Sequence, residues 1–464
     1  MTDLALVDSL AMAATHPDPA FPRFHPRPAQ GWINDPNGVS YINGSYHVFF
    51  QYNPLSARHS QIQWGHVSSP DLVGWEEHPV ALSPQHGGPD SAGCWTGVVT
   101  TDDGVPTAAY SGVKDHGGHS QVVIARGSSD LVTWEQDGHV AASMPNDPLV
   151  TAVRDPFIFR FNGGRYAMQG AGLADGRAAL LLYTVEDMND WKYEGIWLTT
   201  ANPVAASHTP AEIWECPQLV QVPSGEWVMM FSLWLSGDDH EHANGVGHLI
   251  GSLTGDPVSG LPVFVPSSGG KSDLGRDFYA PQIVQLPALG SDSEMGSEPA
   301  ALLWGWANEG PGRDGRRGRT QEEIDQAGWA GVLTHPRVLT VVEGALAVSP
   351  APEIDAYRGA AVASGVAGSV VVPGFAEVLV RGSAATSGLV ELVLGSGADA
   401  QVVYSGSVAA GEELRIFLDA SLVEVYRSGS VATTLRAYPA PGEEWELTLP
   451  TGATADVWEL TLPA

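Results

Sequence analysis

Apolar and polar residues alternate with a period of two over short stretches along most of the chain. Almost nowhere do they follow the 3.6-residue period of a helix. The alternating runs include 45–50, 121–125, 179–183 and 226–231, with Gly, Pro, Asn and Asp between them. Such runs predict strands joined by turns, and hence an all-β fold. Helices are predicted only over 4–14 and 352–357.

One motif recurs. Ser69-Pro70-Asp71-Leu72-Val73-Gly74-Trp75 returns as Ser129-Asp130-Leu131-Val132-Thr133-Trp134 and, more loosely, as Glu186-Asp187-Met188-Asn189-Asp190-Trp191. The tryptophans lie 59 and then 57 residues apart. Each copy reads as a tight turn closed by Asp, with Trp plugging the next strand into the core. That period suits a four-stranded propeller blade. A second set keeps the same phase: Asp35, Trp95, Asp155, Glu215 and Asp277, spaced 60, 60, 60 and 62. A sixth start near His335 breaks the pattern, so the prediction is a five-bladed β-propeller over 20–340. Beyond it Trp is absent until Trp445 and short Val/Leu-rich runs take over. These predict a C-terminal β-sandwich over 361–464, with 341–360 as linker.

Charge narrows the partners. Lys+Arg is 22 against Asp+Glu 53, a net charge of -31. That field repels phosphate backbones and anionic lipid, so neither nucleic acid nor membrane is expected as a partner. No apolar run approaches the roughly 18 residues of a membrane span. The first cation is Arg23, so no basic segment of a secretory signal precedes it, and a cytoplasmic location is expected. Two cysteines, Cys94 and Cys216, exclude a disulfide scaffold and read as free buried thiols. Asp238-Asp239-His240-Glu241-His242 lacks the spacing of a metal motif and reads as a loop, so neither metal nor cofactor is expected.

In a propeller the first strand of each blade lines the central channel, and residues at one phase of the repeat converge there. Three of them are acids. Asp35 sits in Trp32-Ile33-Asn34-Asp35-Pro36-Asn37-Gly38, where Pro and Gly stiffen the loop and amide neighbours favour an ionised carboxylate, as a nucleophile requires. Glu215, between Trp214 and Cys216, is expected in apolar surroundings that raise its pKa, as suits a general acid. Asp155 adjoins Arg154, and the pair suits sugar hydroxyls. Singly, the Asp35 motif reads as an ordinary turn, the Asp155 motif as a turn or local ion pair, and Glu215 as a strand-edge acid. Together, two carboxylates in unlike settings are what glycosidic cleavage uses.

These motifs, with Phe50-Gln51-Tyr52-Asn53-Pro54, Gln63-Trp64-Gly65-His66, Asp277-Phe278-Tyr279-Ala280-Pro281 and the stretch 415–426, resemble glycoside hydrolase family 32, the β-fructofuranosidases, over about 25–460. The resemblance implies a five-bladed propeller with a β-sandwich. It implies Asp35 as nucleophile, Glu215 as acid/base and Asp155 as transition-state stabiliser. Asn34, Gln51, Trp64 and Arg154 match positions that shape the fructose pocket, and Tyr279 and Trp306 are further candidates for sugar contact. Where the family often has an aromatic-Ser-Gly-Ser stretch, this chain has Cys94-Trp95-Thr96-Gly97. Thr96 keeps a hydroxyl for the sugar and Trp95 adds bulk on the leaving-group side. The expected activity is retaining hydrolysis of terminal β-fructofuranosyl residues of sucrose and short fructo-oligosaccharides, since polymers do not enter cells intact. Fructosyl transfer, sucrose-6-phosphate hydrolysis through the arginines of 310–319, and a non-catalytic sugar-binding propeller are the alternatives. His335 reads as packing, and the sandwich is a candidate surface for a homodimer.

Overall fold

The computed structural model describes residues 9–115, 119–236, 242, 244–286, 301–309 and 317–463. The chain is mostly β. Residues 31–350 form five antiparallel sheets one after another. The first holds β1 (Gly31–Ile42), β2 (Ser45–Asn53), β3 (Gln63–Ser69) and β4 (Glu76–Leu82). The second holds β5 (Gly93–Asp102), β6 (Val105–Val113), β7 (Gln121–Gly127), β8 (Trp134–Glu135) and β9 (Val140–Ala142). The third holds β10 (Val150–Phe161), β11 (Gly164–Leu173), β12 (Ala178–Asp187) and β13 (Asp190–Thr199). The fourth holds β14 (Ile213–Gln221), β15 (Trp227–Trp234), β16 (Val246–Gly255) and β17 (Pro262–Lys271). The fifth starts with β18 (Phe278–Gln285) and β19 (Ala301–Ala307). After β20 (Trp329–Ala330) it resumes with β21 (Val332–Leu333), β22 (Arg337–Val342) and β23 (Ala345–Pro350). Strand β20 itself pairs parallel with β1, joining the last part of this region to its first strand. The first strands pack in sequence, β1 on β5, β5 on β10, β10 on β14, β14 on β18, and β18 back on β1.

The recurrent tryptophan motif is a recurrent contact. Trp75, Trp134 and Trp191 each donate Nε1–H to the carbonyl three residues earlier, on Leu72, Leu131 and Met188, at 3.1, 2.8 and 3.1 Å. The motif's Asp closes each turn by accepting from the backbone N–H two residues ahead: Asp71 from Val73, Asp130 from Val132 and Asp187 from Asn189. Apolar clusters fill the wedges between sheets: Phe49, Trp64 and Tyr110 between the first and second, Trp214, Met229 and Phe231 between the third and fourth.

Each first strand carries a β-bulge at the same depth. Two residues face one on the partner strand at 34–35, 95–96, 155–156, 216–217 and 280–281. A bulge re-aims side chains and frees a backbone N–H from the ladder. Here the freed N–H groups of Asp155, Cys216 and Ala280 donate to the preceding sheet, on Ser111 Oγ, Asp155 Oδ2 and Ser232 Oγ, at 2.8, 2.9 and 2.9 Å. Asp155, Cys216 and Ala280 all take positive φ (60°, 48° and 50°) and each precedes a proline.

Residues 358–460 form a six-stranded and a four-stranded sheet around an apolar core that includes Val378, Leu392, Leu418 and Leu447. The segment 341–360 differs from the linker expected. It contains β23 and a 3-10 turn, Pro352–Tyr357, whose Ile354 and Tyr357 are buried. Alternation continues across this stretch, and the fifth sheet needs those strands to reach full width. The expected helix 4–14 is observed as a single turn, Ser9–Ala13, with 4–8 outside the described residues.

The two parts meet at a buried ionic seam. Arg337 of β22 donates to Asp273 Oδ2 at 2.8 Å, to Thr434 Oγ1 at 2.7 Å and to Glu424. His25 lies between Asp419 Oδ2 (2.6 Å) and Glu424 Oε2 (3.2 Å). Burial alone would lower the His25 pKa, but the two carboxylates outweigh it and raise it to about 9. His335 is packing, as read from the sequence: its ring stacks on His25 with centroids 3.6 Å apart.

Candidate active site

The bulged strands end at a cavity of about 640 Å³. Its lining includes Asp35, Asp155 and Glu215 from β1, β10 and β14. Their convergence does not follow the simple phase of the repeat. In bulge register, Asn34, Trp95, Asp155, Cys216 and Ala280 are equivalent. Asp35 is one residue later and Glu215 one residue earlier. A bulge turns neighbouring residues toward one side, so three phases can share one centre. Asp277, which kept phase in the sequence, is absent from the lining: its Oδ2 accepts from Arg436 N at 2.7 Å. Tyr279 reaches the cavity from that strand instead.

Asp35 is surrounded by donors. Asn34 Nδ2 donates to Oδ1 at 3.1 Å, and Gln51 Nε2 (3.0 Å), Thr96 Oγ1 and Cys216 Sγ (3.5 Å) donate to Oδ2. Burial pushes its carboxyl up, the Thr96 hydrogen bond opposes this, and the charge of Glu215 adds to it. Asp155 accepts from Cys216 N at 2.9 Å, and its pKa is also raised, by burial first and then by Glu215, with Arg154 opposing. The Cys216 thiol lies 3.7 Å from Asp155 Oδ2 as well, bridging the two aspartates. Burial, with Asp155, Asp35 and Glu215 beside it, holds that thiol protonated, so it is a donor.

Glu215 differs from the apolar setting expected. The Trp214 side chain turns away into the core, where its Nε1 donates to Thr209 O at 2.9 Å. The carboxylate accepts from Arg154 Nε on Oε1 and from the Tyr279 hydroxyl on Oε2, both at 2.7 Å. Alternation along β14 explains this, because neighbours in a strand face opposite sides.

Above the acids stands an aromatic collar. Tyr279, His242, Trp306, Trp32, His59 and Trp95 touch in series, with ring centroids 4.4, 5.3, 5.8, 6.1 and 5.6 Å apart. Trp234 carries the Arg154 guanidinium at 5.9 Å. Of the residues expected to contact sugar, Asn34, Gln51, Trp95, Thr96, Arg154, Tyr279 and Trp306 line the cavity. Trp64 does not. It is fully buried, donates Nε1–H to Trp95 O at 3.0 Å and supports the wall from behind. Trp32, His59, Glu309 and the start of α1 (Gln321–Ala327) complete the lining; Trp32 opens the Asp35 motif without having been expected as a contact, and the others had no repeat or motif spacing to mark them. Among the described residues, the cations of the lining are committed: Arg154 to Glu215, and Arg319 to Asp18 at 2.6 Å. Arg317 faces Glu443, outside the cavity, and 310–316 lie outside the described residues.

The model of the glycosyl hydrolases family 32 N-terminal domain matches residues 25–350. A raffinose invertase of Escherichia coli is 29% identical over 73% of this chain, and the match spans 66% of that protein. A sucrose-6-phosphate hydrolase of Bacillus subtilis is 27% identical over 94% of this chain and 92% of its own length. Among solved structures, the β-fructofuranosidase of Bombyx mori superposes with a TM-score of 0.78 at 23% identity, covering 98% of this chain and 97% of that one.

Proposed function

Since the chain belongs to glycosyl hydrolases family 32 and is therefore a glycoside hydrolase, we propose that it is a retaining β-fructofuranosidase acting on sucrose and short fructo-oligosaccharides. The five sheets are read as five propeller blades, with the region after residue 357 as a separate sandwich domain. The observation that carries the activity is the meeting of Asp35, Asp155 and Glu215 in one cavity under an aromatic collar. Aromatic faces suit the C–H surfaces of a sugar, and the acids suit its hydroxyls and its anomeric carbon.

In the reaction proposed, an Asp35 oxygen bonds to C2 of the fructosyl unit while the bond from C2 to the leaving oxygen breaks. Glu215 gives its proton to that oxygen. Water then attacks C2, gives its proton to Glu215 and releases Asp35. Asp155 and Arg154 hold fructose hydroxyls, and the Asp155 carboxylate stabilises the positive charge of the transition state. The bridging Cys216 and the Tyr279 hydroxyl keep the three carboxyls in position.

The relatives named as sucrose-6-phosphate hydrolases favour a phosphorylated substrate as a second reading. Against it stand the committed state of Arg154, Arg317 and Arg319 and the carboxylate of Glu309 on the lining. A neutral leaving group suits those charges better.

The test is incubation with sucrose, 1-kestose, inulin, levan and sucrose 6-phosphate, followed by chromatography. Free fructose from sucrose and kestose supports the reading. Preference for the phosphate ester moves it to the second, and longer fructosides at high sucrose move it to transfer. Asp35→Ala is expected to lower kcat by roughly a thousandfold or more. Release of the inverted anomer would overturn retention, and sugar binding without turnover by the intact protein would leave a lectin.

A further inference from the structure

Resting on the fructosidase reading, we infer that His59 is a positioning residue for Asp35, acting through Gln51. The Asp35 carboxylate only accepts hydrogen bonds when ionised, so the Gln51 amide must face it with Nε2, at 3.0 Å from Oδ2. The same Nε2 lies 2.7 Å from Thr96 Oγ1, which itself donates to Asp35. That orientation leaves Gln51 Oε1 pointing outward, and His59 Nε2 meets it at 3.3 Å. His59 therefore donates to Gln51, and Gln51 donates to Asp35. Neutral His59 with its proton on Nε2 and doubly protonated His59 both fill this role. A flipped amide would turn an oxygen against the carboxylate, and the His59 donor opposes that flip.

The loop that carries His59 is built to place it. Asn53, buried at the end of β2, donates through Nδ2 to Arg58 O at 2.9 Å and Ser60 Oγ at 3.1 Å, one residue to either side of His59. Its Oδ1 accepts from Leu55 N at 3.0 Å. Arg58 pairs with Asp325 of α1, tying the loop to the helix beside it. The His59 ring is fixed edge-on by Trp32 and Trp95. Thus a residue at the cavity mouth holds an amide on the floor.

The experiment compares wild type, His59→Leu, His59→Gln, Gln51→Leu and the Gln51→Leu/His59→Leu double variant on sucrose across pH, with thermal melting to confirm folding. Loss of one such hydrogen bond predicts that His59→Leu lowers kcat by about tenfold with KM changed less than about threefold. Weaker donation to Asp35 disfavours its ionised form, so the acidic limb of kcat/KM moves to higher pH. The other ionisable groups on that cavity or against Asp35 are Asp155 and Arg154 of β10, Glu215 and Cys216 of β14, Tyr279 of β18, His242, Glu309 and Arg319; none is altered in these variants. His59→Gln keeps a donor at similar reach and should restore both kcat and the limb. In the double variant, the His59 change should add nothing to Gln51→Leu. A rise in KM alone, equal behaviour of the Leu and Gln variants, or full additivity in the double variant would overturn the inference and leave His59 as a rim contact. A wild-type protein inactive on every fructoside would overturn the fructosidase reading itself, a result distinct from all of these.

Discussion

Asn34, Gln51, Thr96 and Cys216 all direct hydrogen bonds at Asp35, and each favours its carboxylate over the acid. Burial works in the other direction and wins, so the folded pKa lies above the ordinary 3.8. As the proposed nucleophile, Asp35 must be ionised, so activity is expected to be lost as pH falls through that raised value. The acidic limb of kcat/KM is therefore expected above pH 3.8. Thr96→Val removes a donor without changing bulk; kcat should fall by about tenfold and the limb move further up, as a pH–rate profile would register. Tyr279→Phe, which takes the hydroxyl from Glu215, should lower kcat with little change in KM. The acids and their amide partners were legible in the sequence because proline and glycine marked their loops. Trp64 was misplaced because a strand tryptophan reads alike whether it faces the cavity or the core behind it. His59 was invisible as an orienting group, since a single ring nitrogen at hydrogen-bond distance leaves no pattern along the chain.

At the scale of the element, the β-bulge decides the site. The 60-residue phase announced the sheets, and the Asp–Trp turns were readable because each uses the same local hydrogen bonds. The bulges were less so. Three of the five place proline second in the bulge, at Pro156, Pro217 and Pro281, where no ladder N–H is wanted. The blade start at Asp277 was placed two residues before the strand's cavity residue, Tyr279, because spacing cannot locate a bulge to the residue. Close approach of adjacent strands has its own requirement. Gly170 of β11 lies against the Trp214 carbonyl, directly before Glu215, and a Cβ there would collide with it. Gly170→Ala is expected to destabilise by about 1–3 kcal/mol and to lower kcat by moving β14, which denaturant melts and sucrose kinetics would show together. A stable, fully active Gly170→Ala would mean that β14 yields more freely than this packing implies.

For the whole molecule, the ionic seam makes the sandwich a structural partner of the sheets that carry the acids. Arg337 is fully buried between Asp273 and Glu424, and its loss strands two carboxylates out of water. Arg337→Met should cost about 3–5 kcal/mol, measured by denaturant unfolding. His25 has a folded pKa near 9 against 6.5 unfolded, so its contribution is complete below pH 6.5 and is lost as pH rises through 9. The stability difference between wild type and His25→Gln should therefore shrink between those two values in a series of thermal melts. Glu424 is held below its ordinary 4.5, so its contribution is present above that pH and fades on acidification. The parallel pairing of β20 with β1 has a consequence for how the protein is made. Trp32 leaves the ribosome early and meets Ala330 only after nearly three hundred further residues have followed it. At 5–20 residues per second that wait lasts roughly 15–60 s. Throughout it one edge of the first sheet lacks its final neighbour and is open to the wrong one. Synthesis without a chaperone to shield that edge should yield more aggregate than refolding of the completed chain.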